Sequence, residues 1–193
     1  FALMRVIPGM TVVCPCDGNE MKLAVEALLN YDGPAYLRLG RSAVDIVTDE
    51  VPGYKFELGK GAVLAGGSDV TVIAVGMMVQ MALAARELMA KEGVSVRVID
   101  MHTIKPLDTA LIEQAARETG CIVTTEEHSI IGGLGGAVAE YVSEHYPVPV
   151  VRHGVNDEFG RSGKAADVLA AYGLTPEGIC EKIRKAVALK NAK

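Results

Sequence analysis

The chain reads as an α/β protein: a three-layer domain with a mostly parallel sheet, of Rossmann-like type, preceded by an incomplete α/β piece of a second domain. Two patterns predict this. Over residues 59–193, short apolar runs rich in Val and Ile (70–76, 95–100, 121–125) alternate with segments of helical periodicity, and strands apolar on both faces need helices above and below a parallel sheet. Ahead of them stands a single strand, helix, strand unit, too little to close a sheet of its own. These patterns place a remnant of one domain at 1–45, a linker at 46–58 and a complete domain at 59–193. The expectation is that the other strands of the first domain lie upstream of Phe1, where the chain looks cut from something longer.

Each element has its own signal. Residues 11–14 form a β-branched run stopped by Pro15, and Asp17-Gly18-Asn19-Glu20 is a capping box opening a helix. Met21, Ala24, Val25, Leu28 and Leu29 give that helix one apolar face, Asp32-Gly33-Pro34 ends it, and 35–39 reads as a strand. Periodicity is lost over 42–58, where Pro52, Gly53 and several charges accumulate. A short strand at 61–64 follows, then a strand at 70–76, a helix at 77–92 closed by Gly93, and a strand at 95–100. Pro106 and Asp108 start a helix that stops at Gly120, and 121–125 is a strand. A helix at 135–145, a strand at 148–151 and helices at 164–172 and 176–189 complete the domain, with Thr175 as N-cap and Pro176 at the first helical position.

Composition narrows the function. The formal charge is −5 and the nineteen Lys and Arg residues are scattered, so no basic stripe exists to neutralise a run of phosphates, and nucleic acid is excluded as a partner. No apolar stretch reaches the roughly 18–20 residues that span a bilayer. Cys14, Cys16, Cys121 and Cys180 show neither a C-x-x-C pair nor a secreted framework, which predicts reduced thiols in a cytoplasmic protein. Cys14-Pro15-Cys16 without a nearby His or second pair is a weak metal signal.

Ligands of open parallel sheets sit beyond the carboxyl ends of the strands. His102, Glu126, Glu127, His128, Ser129 and His153 fall there. The turn Gly132-Gly133-Leu134-Gly135-Gly136 at a helix start is either an anion cradle or a place of close packing or subunit contact, with His128 beside it. Its spacing fits neither a dinucleotide fingerprint nor a P-loop. Glu126, Glu127 and His128 are adjacent at a strand end, so their side chains diverge. Arg38 and Arg41 leave an apolar strand in the first unit, where guanidinium groups suit phosphate or carboxylate, with surface ion pairs as the alternative.

Several motifs together resemble a known family. Leu3-Met4-Arg5-Val6-Ile7-Pro8-Gly9-Met10-Thr11-Val12, Pro15-Cys16-Asp17 and Gly33-Pro34 with Arg38 and Arg41 are similar to the end of the pyrimidine-binding domain of transketolase-type thiamine diphosphate enzymes. Asp100-Met101-His102-Thr103-Ile104-Lys105-Pro106-Leu107-Asp108, Glu126-Glu127-His128-Ser129-Ile130-Ile131-Gly132-Gly133-Leu134-Gly135, Asn156-Asp157-Glu158-Phe159-Gly160-Arg161-Ser162-Gly163 and Tyr172-Gly173-Leu174-Thr175 resemble the transketolase C-terminal domain.

The resemblance implies two-carbon ketol transfer between sugar phosphates in carbohydrate metabolism of the pentose phosphate type, with thiamine diphosphate and Mg²⁺ as cofactors. It also implies that the cofactor-activating glutamate, the ring-stacking aromatic and the substrate histidines lie upstream, and that another domain holds diphosphate and metal. No cofactor is then expected on this segment, which is expected to be inactive alone. Arg41 matches the arginine that binds the sugar phosphate at the channel mouth, with Arg38 its neighbour. Expected partners are a second copy, through the C-terminal domain, and an N-terminal transketolase subunit. The 1-deoxy-D-xylulose-5-phosphate synthases and 2-oxoacid dehydrogenase beta subunits share this arrangement, and a non-catalytic subunit-interaction module is the reading of a different class.

Overall fold

The computed structural model describes residues 1–192. Eight strands are named in chain order: β1 (Thr11–Val13), β2 (Ala35–Leu37), β3 (Ala62–Ala65), β4 (Val70–Ala74), β5 (Val96–Asp100), β6 (Thr103–Lys105), β7 (Ile122–Ser129) and β8 (Val150–Val155). The α-helices are α1 (Ala2–Arg5), α2 (Gly18–Leu29), α3 (Met78–Ala90), α4 (Thr109–Thr119), α5 (Leu134–His145), α6 (Ala165–Ala171) and α7 (Pro176–Asn191).

The large sheet has the order β3-β5-β4-β7-β8, parallel throughout except for the antiparallel edge strand β3. Its central strand β4 is buried at every residue. Alternation along β4 divides the core into two: Val70, Val72 and Ala74 pack with Met78, Ala82 and Ala85 of α3 and Ile179 and Ile183 of α7, whereas Ile73 packs with Ile112 of α4 and Leu134 and Val138 of α5. Period-two alternation with both faces apolar is what a sheet between two helical layers requires. Helix ends follow the sequence signals. Gly120 closes α4 in the left-handed region at φ 71°, and the Thr175 hydroxyl accepts the Gly178 N–H at 3.2 Å to open α7 behind Pro176.

The first segment is docked on this body. β1 lies between β2, to which it runs parallel, and β6, to which it runs antiparallel. Residues 103–105 carry no strand signal of their own; they become β6 because the chain leaving β5 turns back past His102, whose carbonyl accepts the Cys14 N–H at 2.8 Å. One edge of β1 is thus filled from the C-terminal part rather than from an upstream strand. Phe1, Val12 and Cys14 join Ile73, Ile99 and Leu134 in one core. Two strands also run further than the alternation suggests: β7 continues through Glu126–Ser129 across an irregularity in its pairing with β8, and β8 extends to Val155.

A single carboxylate ties the 46–58 segment to this assembly. Asp17 caps α2 by accepting from the N–H of Asn19 at 3.0 Å and Glu20 at 2.8 Å through Oδ1, as the capping box predicts. Its Oδ2 accepts from the N–H of Val47 and of Thr48, both at 2.9 Å, and from the Thr48 hydroxyl at 2.8 Å. Burial alone would push this carboxyl up, but the backbone and hydroxyl donors outweigh it and hold Asp17 below its ordinary range. Removing the carboxylate strands five donors at once. Asp17→Ala should therefore lower unfolding free energy by about 2–4 kcal/mol in urea titration, and a loss under about 0.5 kcal/mol would show that the clasp contributes little.

Candidate functional site

Strand order reverses between β5 and β7 on either side of β4, and the crevice at such a switch point is where open sheets bind ligands. A groove of about 860 Å³ opens there. It is lined by Met77 after β4, Glu127 of β7, Asp17 and Met21 at the α2 start, Arg41 after β2, and Arg161 and Leu169 after β8. Its charge is set by few groups. The Asp17 carboxylate is engaged by its five donors, and Glu127 lies 3.8 Å from the Arg38 guanidinium.

The two arginines picked out by their strand-exit position have different surroundings. Arg38 donates to the Glu127 carbonyl at 3.0 Å and its guanidinium lies 4.8 Å over the Phe1 ring, so it ties β2 to β7. Arg41 is exposed and makes no hydrogen bond or ion pair among the described residues.

The glycine-rich turn does hold an anion, and the anion is the chain's own. The buried Glu126 carboxylate accepts the N–H groups of Leu134 and Gly135, each at 2.8 Å, at the start of α5. A Cβ on Gly133 would collide with Glu126 Oε2, and one on Gly132, at φ 73°, would lie 2.8 Å from the Ala2 Cβ. The glycines therefore serve close approach of helix, strand and α1. Arg5 seals the turn from outside, donating to Gly132 O at 2.8 Å and Gly133 O at 3.2 Å while pairing with Glu140. Burial pushes the Glu126 carboxyl up against the pull of those two N–H groups.

His128 Nδ1–H donates to Ser129 O at 2.7 Å, and burial pushes its pKa down. Glu126 and Glu127 diverge as neighbours on a strand should: the first is buried under α5 and the second points to Arg38. His153 is saturated, with Nε2–H donating to Gly173 O at 2.9 Å and Nδ1 therefore accepting from the Thr125 hydroxyl at 2.9 Å. His102 stacks on Phe56 with centroids 4.2 Å apart and bonds Thr103. Burial lowers the pKa of both, so each is a buried histidine held by hydrogen bonds rather than a boundary residue.

A group that the sequence does not bring together lies beneath the α2 start. Cys16 Sγ and carboxylate oxygens of Glu20 and Asp100 come within 4.8 Å of one another, all buried. Glu20 sits three residues after its N-cap but reaches past it, accepting the Cys16 N–H at 2.6 Å and the Tyr54 hydroxyl. Asp100 is fully buried, and burial first, then the facing Glu20 carboxylate, push its pKa well up. Burial also raises the Cys16 thiol, with Asp100 and Glu20 adding to it. Both shifts favour the neutral forms of Asp100 and Cys16, and neither Asp100 oxygen finds a hydrogen-bond partner among the described residues. Only the capping box hinted at Glu20; nothing local marks Asp100, because its partner lies eighty positions away in the chain.

A family model described as the transketolase C-terminal domain matches residues 59–179, and one described as the transketolase pyrimidine binding domain matches residues 1–46. The chain is 44% identical over 180 residues to an apulose-4-phosphate transketolase subunit of Phocaeicola vulgatus, covering 93% of this chain and 57% of that protein. It is 38% identical over 182 residues to the 1-deoxy-D-xylulose-5-phosphate synthase of Symbiobacterium thermophilum, covering 94% of this chain and 28% of the synthase. Among solved structures, a split gene transketolase described as an inactive beta4 tetramer superimposes with a TM-score of 0.91 at 46% identity, covering 98% of this chain and 60% of that one. The chain thus spans little more than half the length of the split-type proteins it matches.

The raised Asp100 pKa fixes a sign. Above about pH 4 the unfolded chain releases this proton while the folded chain keeps it, so the contribution is complete at lower pH and lost as pH rises toward the folded pKa. Asp100→Asn keeps a neutral polar group and removes the penalty. In denaturant titrations from pH 5 to 8, stability of the variant relative to the parent should rise with pH, by up to about 1.4 kcal/mol per unit. A constant difference would place the proton elsewhere.

Proposed function

Because the chain belongs to the transketolase family, we propose that the protein of which it forms part transfers a two-carbon ketol unit between sugar phosphates, with this chain supplying one wall of the substrate channel. The single observation that carries the reading is Arg41: a permanently charged guanidinium, unpaired among the described residues, on the lip of the groove at the switch point. Arg38, bound to Glu127, positions the strand end from which Arg41 projects. A phosphate held there lies far from the reacting carbons, so the arginine contributes binding and orientation rather than chemistry.

Transketolase-family enzymes use thiamine diphosphate, and when bound that cofactor supplies the carbanion chemistry. The residues of this chain do not fit its diphosphate. The glycine-rich helix start is filled by Glu126, and the Cys16, Glu20 and Asp100 group is buried beneath the α2 start, with Glu20 already accepting the Cys16 N–H. In our reading the diphosphate and Mg²⁺ are therefore held by a further domain or by an N-terminal subunit. Exposed Leu3, Val6 and Leu29 on the first segment support such an assembly, as well as pairing with a second copy. No helix among the described residues is long and apolar enough to cross a membrane. A ketol-transferring enzyme is preferred over a synthase of the 1-deoxy-D-xylulose-5-phosphate type on the runs 105–108 and 157–163, which look more like transketolase.

Two measurements test the reading. In the assembled enzyme, Arg41→Ala should raise KM for a phosphorylated ketose donor about 10–100-fold, the value of one or two charge-assisted hydrogen bonds, with a smaller change in kcat. An unchanged KM would remove Arg41 from the channel. Calorimetric titration of the chain alone with thiamine diphosphate and Mg²⁺ should show no saturable binding, and micromolar affinity would overturn the division of labour.

A further inference from the structure

The groove has a second edge of positive charge, on the C-terminal part of the chain. We propose that Arg161 forms the other jaw of the anion site, closing on the substrate's phosphate opposite Arg41; this deepens the reading above and rests on it only for the identity of the phosphate's carrier. Both arginines line the same groove, one from the segment after β2 and one from the segment after β8.

The β8–α6 connection is built to hold Arg161 there. Asp157 adopts the left-handed conformation at φ 53°, which turns the chain sharply on leaving β8. Tyr172, just after α6, then pins the loop: its hydroxyl donates to Phe159 O at 2.6 Å, and its ring lies 5.3 Å from the Arg161 guanidinium carbon. The stack supports the flat of the guanidinium and leaves its edge donors free. Its acidic neighbour is Glu158, at 3.4 Å in a pair whose side chains are 57% and 48% exposed. Such a pair contributes little, so exchange for a dianionic phosphate is favourable.

The rest of the lining strengthens the case. Asp17 is saturated by its own donors and Glu127 faces Arg38, which leaves Arg41 and the loosely paired Arg161 as the cations the groove can offer. The same groove is lined by apolar Met21, Met77, Val168 and Leu169, and such low-dielectric surroundings strengthen N–H···O⁻ contacts. Two guanidinium groups lining one groove suit a doubly charged tetrahedral group, phosphate above all, rather than a single carboxylate. Arg41 follows β2 of the first segment and Arg161 follows β8, so a phosphate held by both would also bridge the two parts of the chain.

The test uses the assembled enzyme and two probes, a phosphorylated ketose donor with its dephosphorylated counterpart, and inorganic phosphate followed by calorimetry. Arg161→Ala should raise KM for the phosphorylated donor about tenfold or more, leave kcat within about twofold and leave KM for the dephosphorylated donor unchanged. It should weaken inorganic phosphate binding by a similar factor, with Arg161→Lys recovering part of it. Arg86→Ala, on the exposed face of α3, should change neither. Phosphate binding lost in Arg41→Ala but intact in Arg161→Ala overturns the inference and leaves the proposed function standing. No measurable phosphate binding by the parent enzyme also overturns it. If the enzyme proves unable to transfer ketol units, the proposed function fails, and the phosphate titration still decides on Arg161.

Discussion

The start of α2 is the constraint on which the rest of the molecule depends. Two carboxylates three residues apart are used there in opposite ways. Asp17 gathers five donors from α2 and from residues 47 and 48, and so remains ionised in a nearly buried place. Glu20 turns inward and comes close to the buried Asp100 at the end of β5, where burial and the facing Glu20 carboxylate push the Asp100 carboxyl up. The first carboxylate ties the connecting segment to the helix, and the second ties the helix to the large sheet. Neither could be replaced by an apolar side chain without leaving N–H groups or a carboxyl unpaired in the interior.

That junction sets the geometry of the groove. Because α2 and β1 are held against β5 and β6, the residues leaving β2 come to lie across the carboxyl ends of β4 and β7. Arg41 then lines a groove shared with residues of the C-terminal part, and Arg38 is held by Glu127 and Phe1. The glycine-rich turn, which on its own would attract an external anion, is consumed in holding β7, α5 and α1 together through Glu126. The N–H groups at this helix start are thereby taken by the chain's own carboxylate, while the Arg41 side chain at the groove stays unpaired among the described residues. A guanidinium at a rim can be offered to a substrate, whereas the N–H groups beneath α5 cannot.

Much of the architecture follows from local pattern. The buried strands β4, β5 and β7, the stop of α4 at Gly120, and the Thr175-Pro176 start of α7 follow from apolar alternation, the freedom of glycine at positive φ, and a cap with proline behind it. Those effects act over a few residues, so the order of residues carries them. The motifs around Arg41 and from Asp100 to Asp108 also carry the family resemblance, since they are short, contiguous and specific. By contrast, β6 has no signal of its own. Thr103–Lys105 becomes a strand because β1, some ninety positions earlier, offers it an open edge.

What the sequence determined by itself, then, is the three-layer α/β class, the caps and turns, and the choice of Arg38 and Arg41 as anion-binding candidates. Tertiary structure alone decided that Glu126 fills the glycine turn, that Asp100 faces Glu20 across the domain junction, and that Arg161 shares a groove with Arg41. The physical reason is range. Propensity, capping and periodicity are summed over neighbours in the chain, whereas a buried pair of acidic groups, an occupied helix N-terminus and two arginines lining one groove depend on distances between segments that only the packed core brings together.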